Sequence, residues 1–251
     1  MSNRFALRKL LAWTPESITT NAWYDAADVD TITLATGVSQ WDDKSGNGKH
    51  VTQGIGGEQP DYIASDPMFG GMPSVYTLQN ATKHLDQSAT TVCKRVYFVC
   101  YYGDGTEIIW GNHNAIFAAT DGSVRLTGRA NDHRVWDGLR ATQNFDYRAT
   151  TGATTYRNGS TVNTNYESNG LPIPANMFRV ESPLTHTEVW RLLNNGASWS
   201  TFGGGLGEMI MTDGSEDFAT EQKVEGYLAW KWGLEGLLPS AHPYKNGKPL
   251  I

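Results

Sequence analysis

Two cysteines are all this chain of 251 residues has, and neither sits in Cys-x-x-Cys or beside a His-x-x-x-His, so the spacing of a zinc site is missing. Cys93 and Cys100 lie in Val-Cys-Lys-Arg-Val-Tyr-Phe-Val-Cys-Tyr. On one strand their odd spacing puts them on opposite faces, which argues against a mutual disulfide and for two buried thiols. That use of cysteine fits folding in a cytoplasm. Long apolar runs are absent too, and none approaches the length of a membrane span. The opening Met-Ser-Asn-Arg-Phe-Ala-Leu-Arg-Lys-Leu-Leu-Ala-Trp breaks its short apolar stretch with basic residues, unlike a signal peptide. Charge is sparse, at 18%, with a net −6 and no Lys/Arg cluster, which argues against binding driven by nucleic-acid phosphates.

Catalytic signatures are equally scarce. There is no Gly-x-Ser-x-Gly elbow, and the six histidines stand in unrelated contexts. Lys94 and Arg95 beside Cys93 read as edge or surface residues, which leaves that thiol without an activating field. Gly203-Gly204-Gly205 precedes a strand rather than a helix and reads as a flexible turn, not a phosphate loop.

What is abundant points to β-structure: 27 Gly, 9 Trp and 11 Tyr, with many Thr and Asn. Val96-Tyr97-Phe98-Val99-Cys100-Tyr101 is a continuous apolar run expected of a strand buried on both faces. Further strands are predicted at Thr31-Ile32-Thr33-Leu34, Glu107-Ile108-Ile109-Trp110, Ala115-Ile116-Phe117-Ala118 and Ser123-Val124-Arg125-Leu126-Thr127. The next are Thr154-Thr155-Tyr156-Arg157, Glu188-Val189-Trp190-Arg191-Leu192-Leu193 and Leu206-Gly207-Glu208-Met209-Ile210-Met211. Asp121-Gly122 and Asn158-Gly159 are hairpin turn signals. Many short strands between regular turns predict a sandwich or barrel, and no linker divides the chain.

Two segments depart from this pattern. Residues 1–17 read as an arm, with Leu7, Leu10 and Leu11 on one side of a short helix that Thr14-Pro15 breaks. Phe5, Leu7, Leu10, Leu11 and Trp13 are its attachment candidates, docking on the domain or on a partner. Near the end, Ser215 is the expected cap of a helix over about 215–232, with Glu216 and Asp217 in its first turn. Phe218, Val224, Tyr227, Leu228 and Trp232 form its apolar stripe, and Glu221, Gln222, Lys223 and Glu225 fall mostly on the wet side.

The segment Trp41-Asp42-Asp43-Lys44-Ser45-Gly46-Asn47-Gly48 sets turn formers behind an aromatic anchor. Such a loop can hold a cation, cap itself or turn a corner. Together with Trp23-Tyr24-Asp25-Ala26-Ala27-Asp28, Gln59-Pro60, the 206–211 strand, Glu221 to Leu234 and Leu238-Pro239-Ser240-Ala241-His242-Pro243-Tyr244, it resembles laminin-G-like, concanavalin A-like lectin/glucanase domains. The branch it resembles occurs in bacteriophage structural proteins and bacterial surface proteins. The resemblance is strong at both ends and generic between, covering about 13–248 as one domain. It implies an all-β fold, an antiparallel two-sheet jelly-roll sandwich closed by one C-terminal amphipathic helix. The expected layout is an arm at 1–17 and a sandwich at 18–251.

The fold carries lectins, hydrolases, lyases and scaffolds alike. Its glycoside hydrolases commonly carry Glu-x-Asp-x-x-Glu, which is absent, although acids from different strands could still converge. Related domains sometimes hold a structural calcium, for which Asp42, Asp43 and Glu208 are the candidate ligands. The alternative is a turn bond for Asp43 and an ion pair for Glu208 with a base such as Lys44. Glycan candidates combine an aromatic face with planar polar groups at predicted turns. They are Trp110, Asn112 and His113; His133, Arg134, Trp136 and Asp137; and Asn195 with Trp199.

The expectation is a non-catalytic virion surface protein, a tail or capsid decoration or fibre component, assembled in the host cytoplasm. It would contact other virion proteins and cell-surface polysaccharide, with no nucleic acid, no membrane insertion and no required cofactor, and self-association is compatible with it. The rival expectations are a polysaccharide-degrading enzyme of the same fold and a decoration protein that binds no glycan.

Overall fold

Among the described residues the apolar run at 96–101 lies within the longest strand pairing, and the described fold is organised around it. The computed structural model describes residues 11–78, 82–102, 113–121, 124–129, 153–161, 173–194 and 202–251. In chain order the strands are β1 (Ala22–Asp25), β2 (Ile32–Leu34), β3 (Val38–Trp41), β4 (Val51–Thr52), β5 (Asp61–Ile63), β6 (Ser74–Thr77), β7 (Leu85–Gln87) and β8 (Thr91–Tyr102). They continue as β9 (His113–Ala119), β10 (Arg125–Arg129), β11 (Thr154–Arg157), β12 (Ser160–Thr161), β13 (Ile173–Glu188), β14 (Trp190–Leu192) and β15 (Gly204–Thr212). One α-helix, α1 (Phe218–Lys231), follows.

These strands form two antiparallel sheets. One has eight strands in the order β12-β11-β13-β8-β15-β6-β5, with β1 also paired to β15. The other has seven, in the order β10-β9-β14-β7-β4-β3-β2. Alternation assigns the side chains. Phe98, Phe178, Val180, Met209 and Met211 of the first sheet face Trp41, Val51, Phe117, Trp190 and Leu192 of the second, and together they make the inter-sheet core. Tyr97, Val99, Met177 and Ile210 point the other way, against Val224, Leu228, Ala229 and Trp232 of α1. The result is a sandwich of two sheets with one helix laid on the outer face of the larger. Among the described residues no helix is long and apolar enough to cross a membrane.

The Asn158-Gly159 turn behaves as its residues predict, with φ of 50° and 80° joining β11 to β12. The helix starts later than expected. Its first residue is Phe218, and the cap is Asp217, whose Oδ1 accepts the Thr220 N–H at 2.8 Å, rather than Ser215. The 107–110 strand lies outside the described residues.

Three further expectations are corrected. Arg95 is neither edge nor surface: it is buried on β8, between β13 and β15, where charged partners make burial tolerable. Cys93 and Cys100 are both free and buried, but both join the inter-sheet cluster. Strict alternation does not hold at the start of β8, where the partner β13 shifts register between Glu181 and His186. Burial pushes both thiols up. Finally, Gly204 and Gly205 belong to β15, not to a turn.

The glycines of β15 make room for aromatic rings. A Cβ on Gly207 would lie 2.7 Å from the Trp232 ring, which packs flat on the bare backbone. Gly207→Ala is therefore expected to cost about 1–3 kcal/mol from overpacking. Urea unfolding would check this, and an unchanged midpoint would show that the helix can shift without penalty.

The irregular stretch of β13 also buries His186, which shares a 2.9 Å hydrogen bond with Ser182. Burial lowers its pKa from 6.5. The unfolded imidazole takes a proton as pH falls through 6.5, whereas the folded one does so only further down. Its contribution to stability is therefore present above 6.5 and lost as pH falls through that value toward the folded pKa. Unfolding free energies at about pH 7.5 and about pH 5.5 should differ less in His186→Asn than in the parent.

Candidate functional site

The 41–48 loop is built by its own aspartates. Asp43 is buried and accepts the N–H groups of Trp23, Ser45 and Lys49, each at 2.9 Å, and the Ser45 hydroxyl at 2.7 Å. Gly46 and Gly48 follow at φ of 83° and 66°, which lets the chain reverse around that carboxylate. Asp42 pairs with His50 at 2.9 Å and accepts from Gln40. Of the three readings open to this loop, the described contacts are those of a self-capped corner.

Glu208 occupies a different centre. It is fully buried on β15 and accepts Trp23 Nε1 at 2.7 Å, Tyr227 Oη at 3.0 Å, Lys231 Nζ at 2.7 Å and Trp232 Nε1 at 2.8 Å. Burial raises the Glu208 carboxyl against the opposing pull of Lys231. Lys231 also reaches Asp25 at 2.6 Å, and Asp25 reaches Lys44 at 2.9 Å. The expected partner, Lys44, thus goes to Asp25 and Asp28 instead, because Lys231 comes down from α1 onto Glu208. Asp42, Asp43 and Glu208 are not brought together. Among the described residues no group of three or more His, Cys, Asp or Glu is placed to hold a metal ion.

A second ionic network underlies the other half of α1. Arg95 meets Glu216 at 2.6 Å, Glu221 at 2.8 Å and Glu181 at 3.1 Å. Arg179 meets Glu221 at 2.7 Å and Glu225 at 2.8 Å, and its guanidinium lies 3.6 Å from the centre of the Tyr156 ring. Glu225 also pairs with His242 at 3.2 Å. Glu221 and Glu225 therefore sit under the helix rather than on its wet side, because two buried arginines wait there. Burial raises Glu221, opposed by Arg179 and Arg95.

The outward face of the seven-stranded sheet carries a cross-strand row of Thr33, Gln40, Thr52, Asp86 and Arg191. Arg191 clamps Asp86 through two bonds of 2.6 and 2.7 Å, so the row presents a pair already matched in charge.

On the helix side the surface differs. Of the described tryptophans only Trp230 is exposed, at 36%. Its Nε1 donates to the Tyr244 carbonyl at 2.8 Å, and Tyr244 comes that close because Gly226 has no side chain in its way. The fixed indole separates two cavities. The larger, about 480 Å³, is lined by Met68, Phe69, Met72, Pro174 and Trp232 among others. The smaller, about 280 Å³, lies between Trp13, Tyr227, Trp230, Thr14 and Lys248. Lys231 borders both.

Comparison of the chain with family models, with curated proteins and with solved structures found no match.

Of the glycan candidates, Trp110, Asn112, His133, Arg134, Trp136, Asp137, Asn195 and Trp199 lie outside the described residues, and His113 is described only as the first backbone position of β9. Phe5, Leu7 and Leu10 of the arm also lie outside. Leu11 is exposed, whereas Trp13 is largely buried, edge-on to Tyr227 at 6.2 Å. Trp230 is missing from the candidates read from sequence. The signal is nonetheless present, since at 100° per residue it falls opposite the 224/227/228/232 stripe, an aromatic on a wet face.

Proposed function

We propose that this chain is a non-catalytic bacteriophage surface protein, a tail or capsid decoration or fibre component, that adheres to host or environmental glycans. The resemblance of both chain ends to concanavalin A-like domains supplies the setting, and a two-sheet sandwich with one helix is compatible with it. The observation that carries adhesion is Trp230: an exposed indole, held rigid by the Tyr244 carbonyl, with a cavity on either side. A preorganised aromatic face costs little to order on binding and offers the C–H surface of a sugar ring a flat partner.

The non-catalytic part of the reading rests on the carboxylates. Among the described residues Asp25, Asp43, Asp66, Glu208, Glu221 and Glu225 are the buried acids, and each accepts from at least two donors of the fold. An acid so committed is poorly placed to protonate a leaving group. The test is a glycan array on the purified chain beside an assay for reducing ends on the polysaccharides bound. Binding without turnover, weakened at least tenfold in Trp230→Ala, is expected, since aromatic anchors of this kind dominate binding energy. Turnover would replace adhesion by hydrolysis. Silence across the array would leave a decoration protein without glycan binding.

A further inference from the structure

We propose that the smaller cavity beside Trp230 is the subsite of an acidic saccharide, a hexuronate unit whose carboxylate is taken by Lys248; this rests on the adhesion reading and specifies its ligand. Three observations converge. The cavity is small, at about 280 Å³, below the range that encloses a drug-sized ligand, and so suits a single sugar ring. Three of the residues lining it are aromatic, Trp13, Tyr227 and Trp230, and Thr14 lies beside them. Among the described residues, both charged groups bordering it are lysines and no carboxylate lines it.

The two lysines differ. Lys231 is already neutralised, with Asp25 at 2.6 Å and Glu208 at 2.7 Å. Lys248 is exposed, and among the described residues no carboxylate lies within 4.0 Å of its ammonium. It is the cation left to answer a ligand's charge. The backbone that carries it is held in place. Trp13 N–H donates to the Pro249 carbonyl at 3.0 Å, Ile251 N–H donates to the Leu11 carbonyl at 3.0 Å, and Ala12 bridges to Leu250. This ribbon sets the backbone of Thr14 and Lys248 at the cavity before any ligand arrives, which lowers the ordering cost of the main chain on binding. In a protein of net charge −6, long-range attraction does not favour an anion, so selectivity for acidic sugar has to come from a local cation.

The experiment uses the full chain, with oligogalacturonate as the acidic probe and a glucan oligomer of equal length as the neutral one. Binding is followed by titration calorimetry and tryptophan fluorescence. The parent is expected to prefer oligogalacturonate. Lys248→Ala, a surface change that leaves the fold intact, should weaken that probe about five- to tenfold, spare the neutral one, and be rescued by Lys248→Arg. Added salt should erode the preference in the parent and not in Lys248→Ala. A parent that binds only the neutral probe, or a Lys248→Ala that loses both or neither, overturns the inference while adhesion stands. A parent that binds neither probe also overturns the inference, with adhesion left to the glycan array, whereas a Trp230→Ala that keeps its affinity for a probe bound by the parent sinks the adhesion reading and the inference with it. Self-association through this face, detected by sedimentation and removed by Trp230→Ala, would assign the cavity to a second copy instead.

Discussion

Glu208→Ala should unfold at a much lower urea concentration than the parent, with about 3–5 kcal/mol lost, the usual cost of removing one partner from a buried charge pair. The size of the effect follows from what is left behind. Lys231 loses one of its two carboxylates, and the indole N–H groups of Trp23 and Trp232 lose their acceptor in a site with no solvent. Each orphaned donor carries its own desolvation penalty. Glu208→Gln keeps the shape and one acceptor oxygen, so it should fall between parent and alanine. Equal stability of all three proteins would mean that Lys231 and the two indoles find other partners, and Glu208 would then not be the anchor of α1.

Arg179→Ala should cost a similar amount, about 3–5 kcal/mol, through the opposite charge. It strips Glu225 of its 2.8 Å partner, removes one of the two arginines on Glu221, and leaves the Tyr156 ring without its cation. The loss should be uneven along the molecule. Hydrogen exchange in α1 and in the tail around His242 should rise before exchange in β8, since Glu221 and Glu225 tie the helix down and Glu225 also holds His242. Uniform loss of protection would show that helix and sheet open as one unit. Apolar replacement of the pair, Arg179→Met with Glu225→Leu, should recover much of the stability, because the desolvation cost of both charges disappears together.

These two centres also mark where sequence reading stops. Local chemistry was legible: β11 and its Asn158-Gly159 turn, the apolar middle of β8, and a helix of nearly the right extent. The cap moved from Ser215 to Asp217 because either side chain suits the role and only the backbone decides which N–H is in reach. Arg95 looked like a surface residue because its partners Glu181, Glu216 and Glu221 lie far along the chain, on β13 and near α1. Glu221 and Glu225 looked solvated because a helical stripe counts hydrophobicity and not the arginines waiting beneath it. Gly205 read as part of a flexible turn and Gly207 as an ordinary strand position, whereas the Tyr101 and Trp232 rings require them to be bare. Of the site, the aromatic-plus-polar criterion pointed to loops that lie outside the described residues; among the described residues an exposed indole beside polar groups occurs on the helix, at Trp230.

The placement of β15 has a kinetic meaning. The last strand in the chain is the one to which β1, β6 and β8 all pair. A nascent chain emerging N-terminus first can therefore form hairpins such as β2–β3 early, but the eight-stranded sheet stays open down its middle until residues 204–212 have left the ribosome. Every earlier partner must wait with exposed backbone and apolar side chains, and the closing contacts span most of the chain, the condition under which folding is slow and aggregation competes. The eight-stranded sheet therefore closes only once β15 has been made, and a chain truncated before β15 should be captured by chaperones as a client rather than recovered as a smaller domain.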